Sequence, residues 1–140
     1  MDIDQLLHAL DNDKNESIVD LDYAKISKDK NDTLQQLNCP KPQLKRLHQQ
    51  LKSYRLVEDI KDIHFGSYVR WISLKNPEGE IKLTNGGIVC DMKVINDDVH
   101  IKCKNNMNRL FQIKMSETIL FQKLSDQEQV ILSALKFLNN

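Results

Sequence analysis

The chain has 140 residues, with 20 Lys or Arg against 20 Asp or Glu and a formal net charge of zero. At 40% hydrophobic and 29% charged it has material for a packed core, which excludes wholesale disorder. The balance of charge excludes a global field that would draw in nucleic acid or an acidic membrane.

The charges are unevenly placed. Residues 1–32 carry nine acids and four lysines, whereas residues 41–55 carry Lys41, Lys45, Arg46, Lys52 and Arg55 with no acid. No apolar run approaches the ~20 residues of a spanning helix. The opening Met1-Asp2-Ile3-Asp4 is acidic where a secretory leader is basic. Cys39, Cys90 and Cys103 form neither a CxxC nor a secreted disulfide framework. The expected setting is therefore intracellular and reducing, away from membranes.

In chain order, Ile3, Leu6, Leu7 and Leu10 repeat at helical spacing and predict a short helix over 2–10. Residues 11–32 are polar and acidic, and read as loop with one helical turn. Thr33 can cap a short turn through Leu37, which ends at Cys39-Pro40. Pro42 suits the first turn of a helix, and Leu44, Leu47, Leu51 and Tyr54 place an apolar stripe along 42–57.

From His64 the period becomes two. Strands are predicted over Ser67 to Leu74, Glu80 to Thr84, Ile88 to Ile95, Val99 to Lys104 and around Phe111-Ile113-Met115, then Thr118 to Leu124. Turns fall at Lys75-Asn76-Pro77-Glu78-Gly79, Asn96-Asp97-Asp98, Lys104 to Asn108 and Ser116-Glu117, with a bulge or sharp bend at Asn85-Gly86-Gly87. About five short strands leave open edges, so closure into a small barrel is the expected solution. Ser125-Asp126-Gln127-Glu128 has capping-box spacing before the apolar Val130, Ile131, Ala134, Leu135 and Leu138, which predicts a C-terminal helix. The expected fold is α+β: N-terminal helices with an acidic loop over 1–62, then a five-stranded antiparallel barrel and a C-terminal helix over 63–140.

The segments Tyr68-Val69-Arg70-Trp71, Leu83-Thr84-Asn85-Gly86-Gly87-Ile88 and Phe121-Gln122-Lys123-Leu124 resemble a small SH3- or Tudor-like β-barrel domain of uncharacterised proteins from large cytoplasmic DNA viruses. The resemblance covers roughly 64–124. It implies an SH3-like barrel in a viral accessory or virion-associated protein, located in host cytoplasm or virion. It carries over no catalytic residue. The abundance of Asn, Lys, Asp and Ile also fits an AT-rich genome of that kind.

Chemistry-bearing patterns are few. Asp11, Asp13, Asn15 and Asp22, with Ile18 between, follow the oxygen-ligand spacing of a calcium loop. Glu16 stands where the loop needs glycine and Asp22 is short for a bidentate grip, so composition accounts for the match better than calcium does. Cys90 and Cys103 are expected to face each other in the core across paired strands, two ligands short of a zinc site. His8, His48, His64 and His100 share no ligand spacing, and no arrangement marks an activated nucleophile. The expectation is a non-enzymatic interaction module with no cofactor and no small-molecule substrate, binding a protein partner or a second copy of itself. The alternative is nucleic-acid binding through Lys45, Arg46, Lys52 and Arg55 on the helix and Tyr68 and Arg70 on the barrel.

Overall fold

A computed structural model describes residues 2–18, 21–75 and 80–138. Among the described residues there are four α-helices, α1 (Ile3–Asp11), α2 (Tyr23–Gln35), α3 (Lys41–Gln50) and α4 (Asp126–Leu138), and one antiparallel sheet. Its strands are β1 (Tyr54–Val57), β2 (Tyr68–Ser73), β3 (Gly87–Ile95), β4 (Asp98–Lys104), β5 (Leu110–Lys114) and β6 (Thr118–Lys123), in the order β1-β6-β2-β3-β4-β5. The α+β class stands. The sheet has six strands and is open, however, with β1 and β5 as its edges, where a closed five-stranded barrel was expected.

The sixth strand comes from the predicted 42–57 helix. The apolar spacing of Leu44, Leu47, Leu51 and Tyr54 suits a helix throughout, but α3 stops at Gln50. Tyr54, Arg55, Leu56 and Val57 then pair with Lys123, Gln122, Phe121 and Leu120. Strand parity sends Arg55 and Val57 to one side, and tertiary pairing outweighs the helical period. β1 thus ties the N-terminal region into the sheet, and α1 packs on α4 at the other end of the chain.

Two more expectations change. The acidic 11–32 stretch holds a 3-10 turn, Asp13–Ile18, and the whole first part of α2, whose buried residues Ile26, Lys30 and Leu34 follow a helical stripe. Asp22 starts α2 by accepting from Lys25 N at 2.7 Å. Residues 80–84 form no strand; Leu83 makes a single bridge to Ile72, and Thr84 binds Trp71 through backbone and hydroxyl. The centre of the predicted 75–79 turn lies outside the described residues.

Other features follow the sequence closely. Asn96 and Asp97, both at positive φ (52° and 63°), form a two-residue hairpin between β3 and β4. Ser125 and Glu128 make both halves of the capping box: Glu128 N donates to Ser125 Oγ at 3.1 Å and Ser125 N to Glu128 Oε1 at 3.0 Å. Gly86, at φ +80°, carries the sharp bend, since a Cβ there would lie 1.9 Å from the Val69 carbonyl oxygen.

The two faces of the sheet are buried differently. On the inner face Val57, Val69, Trp71, Val89, Ile101, Cys103 and Leu120 form one cluster with Ile63. Met92 and Ile113 pack against it, so every strand contributes. On the outer face Ile72 and Phe121 are covered by Leu34 of α2 and by Leu47 and Leu51, at and just beyond the end of α3. Among the described residues, the strand residues of this cluster come from β1, β6 and β2. A third cluster, Ala9, Ile18, Ile26, Leu124, Ile131 and Leu132, joins α1, α2 and α4.

Candidate interaction site

The bulge between Val89 and Asp91 reorganises the middle of β3. Without it Val89 and Met92 would point to opposite faces. With it, both face inward opposite Cys103 and Ile101, and Cys90 is pushed to the surface. This corrects the expected Cys90–Cys103 juxtaposition. Burial holds the Cys103 thiol neutral, with its pKa pushed up to about 12, with a smaller contribution from Cys90.

A cleft is lined by residues of β2 and β5. The inner-face residues Trp71 of β2 and Phe111 and Ile113 of β5 line it together with Tyr68 from the outer face of β2, and the 82–86 and 105–107 segments complete the lining. Its volume is about 550 Å³. Met107 at its mouth is 72% exposed and Phe111 is 43% exposed, on the edge strand itself. Asn85, Asn105 and Asn106 supply amide groups, and Lys82 the one charge among the lining residues.

On the outer side strand register lines up a row of side chains, the first of which, Tyr54, packs against the cluster under the helices. Tyr54 lies opposite Lys123, Tyr68 opposite Ile88, Ile88 opposite Lys104, and Lys104 opposite Leu110. The β2–β6 register, extended by one pair beyond Val69 and Gln122, sets Lys123 beside Tyr68. Charges above and below this row are mainly basic: Arg70, Lys93, Lys102 and Lys114 against Asp91 and Asp98. Lys93 reaches Asp91 at 3.9 Å. Desolvation holds the Tyr54 hydroxyl above its ordinary pKa, with Arg70 opposing and Tyr68 assisting.

The predicted nucleic-acid residues divide accordingly. Lys45 and Arg46 are exposed on α3, and Lys52 is exposed just after it. Tyr68 and Arg70 are half-buried on the outer face of β2, where the Tyr68 hydroxyl donates to Asn85 O and Arg70 Nε donates to Thr84 O at 2.8 Å. Arg55 does not belong with them. It is 4% exposed on the opposite face, its Nη2 3.7 Å from Glu128 Oε2 and donating to Asp62 O at 3.3 Å. A helix was expected there, and the strand reverses its direction.

Around Arg55 lies a buried polar group that the sequence did not reveal. Gln122, fully buried, accepts from His64 N at 2.9 Å and donates to Asp62 O at 2.9 Å. Burial depresses the His64 pKa; Glu128 and Asp62 oppose this, and Arg55 and Lys14 reinforce it. Gln122 alternates with Leu120 on the inner face, and that parity was the available signal for its burial.

The calcium pattern is dispersed. Asp11 ends α1, Asp13 begins a 3-10 turn, and Asp22 is occupied as a helix cap. Asn15 is buried with its amide nitrogen donating to Ala9 O at 2.7 Å and Gln127 Oε1 at 3.1 Å. Asp20 lies outside the described residues. Among the described residues no group of three or more His, Cys, Asp or Glu is placed to hold a metal ion. No described helix is long and apolar enough to cross a membrane. Compared with known proteins, the chain matches no family model, no curated protein and no solved structure.

Proposed function

We propose that this protein is a non-enzymatic interaction module that takes a protein partner at the cleft beside β5. The observation that carries this reading is the coincidence of an unpaired sheet edge with an aromatic cleft. An extended peptide adding to β5 would meet Phe111, Met107 and Trp71 with its side chains while its backbone completed the sheet. The SH3-like character of the β2-to-β6 unit and a viral, virion-associated setting are parts of the same proposal, supported by the residues quoted from 64–124. The test is selection of binders from a random peptide library on the whole protein, followed by Phe111→Lys. Selected peptides should lose at least tenfold in affinity to the variant and shift the amide resonances of 110–114. Peptides that bind the variant equally well would place the site elsewhere.

A second reading, nucleic-acid binding, is favoured by one observation: the basic residues of a neutral chain collect on the outer face of the sheet and on α3.

A further inference from the structure

We infer that the outer-face row Tyr54, Lys123, Tyr68, Ile88, Lys104 and Leu110 is a docking strip for single-stranded nucleic acid. The inference rests on the nucleic-acid reading and moves its centre from α3 to the sheet. Read across the six strands, the row runs ring, lysine, ring, aliphatic, lysine, aliphatic. Single strands are bound by flat apolar surfaces under the bases and cations under the phosphates. Strands spaced about 4.8 Å apart give a row on the order of 24 Å, room for roughly four nucleotides.

Three further facts fit this occupant. Lys104 and Lys123 are exposed and enter none of the described ion pairs, so their charge is not already neutralised by a short-range acid. Ile88 and Leu110, 46% and 67% exposed, are apolar side chains on a face that could have been polar throughout. The cluster that buries Ile72 and Phe121 takes in no described residue of β3, β4 or β5, and Ile88, Lys104 and Leu110 are exposed. A duplex presents its bases edge-on and stacked, so a flat strip of this kind discriminates against it.

Fluorescence anisotropy of the whole protein with a labelled oligothymidine and a labelled duplex, at low and near-physiological salt, tests the inference. The single strand should bind more tightly than the duplex, with affinity falling steeply as salt rises. The double variant Lys104→Glu, Lys123→Glu should weaken binding at least tenfold and reduce the magnitude of the log–log salt slope by about 1.4. Tyr68→Leu should weaken binding at least fivefold with the slope unchanged; Ile88→Asn, at an exposed position, repeats that test without touching the Tyr68–Asn85 hydrogen bond. Binding that survives the Lys104 and Lys123 reversals but is lost with Lys45→Glu, Arg46→Glu would keep the nucleic-acid reading and overturn the strip. Duplex bound as tightly as single strand, or displacement of the oligonucleotide by polyglutamate at equal charge concentration, would also overturn it. No binding of either probe at low salt would remove both the strip and the reading beneath it.

Discussion

Arg55 and Lys123 are basic residues on adjacent, paired strands, yet they do opposite things. Arg55 points inward, is 4% exposed and shares a desolvated space with Glu128, Asp62, His64 and Gln122. Lys123, opposite the residue just before Arg55, points outward into solvent. A charge taken out of water is tied to the fold, because leaving it without its counter-charge costs several kcal/mol. A charge left in water costs the fold little and remains available to a partner. The same residue class therefore marks structure on one face of this sheet and a candidate surface on the other.

The largest expected effect comes from breaking the buried side of that contrast. Glu128 uses Oε1 for the Ser125 cap and presents Oε2 to Arg55. Glu128→Gln keeps a capping side chain and removes only the charge, leaving Arg55 buried opposite a neutral amide. Urea unfolding should show a loss of about 3 kcal/mol. Arg55→Met should cost a similar amount, and the double variant clearly less than the sum of the two. Strict additivity would mean that the two side chains do not act as a pair.

The same contrast explains what could be read in advance. β2, β4, the β3–β4 hairpin, α4 and its capping box were legible because period, turn chemistry and cap residues agreed. β1 was not, because Leu51 and Tyr54 satisfy a helical stripe as well as they satisfy a strand following a turn. Only pairing with β6 decides between them. That single misplacement hid both the direction of Arg55 and the membership of Tyr54 in the outer row. α2 was concealed by its composition: Asp, Lys and Asn dilute a stripe of Ile26, Lys30 and Leu34, in which the middle position is a lysine whose Nζ donates to Leu51 O at 2.8 Å. The β3 bulge has no local sequence mark beyond a broken alternation, so Cys90 could not be told from Cys103. Tyr68 and Arg70 sharing a face, with Trp71 on the other, was legible from strand parity alone.

A smaller effect should appear with pH. His64 has a depressed folded-state pKa, caused first by burial, so the unfolded chain takes up its proton before the folded one does. Between the ordinary histidine value near 6.5 and the lower folded value, the unfolded state binds more protons, and stability must fall as pH falls. Above that window the imidazole is neutral in both states and contributes no slope. Thermal melting of the wild-type protein should therefore decline more steeply below about pH 6.5 than that of His64→Gln. Identical pH profiles would mean that the imidazole titrates alike in the folded and unfolded chains.

The smallest effect is the one that sharpens the comparison most. Lys104→Glu and Lys123→Glu reverse two exposed charges on the outer row, and each should change unfolding free energy by less than about 0.5 kcal/mol. Lys104 shares its strand face with Lys102, while Ile88 and Leu110 stand directly opposite it and Asp91 is diagonal to it, so like-charge and opposite-charge neighbours offset each other. A structural role for these lysines would show as a loss comparable to that at Glu128. Near-neutral stability would instead mean that the exposed basic row contributes nothing to the fold. Near-neutral melting combined with a large loss of oligonucleotide affinity would separate the two faces by experiment: one basic residue required to fold, its neighbours required only to bind.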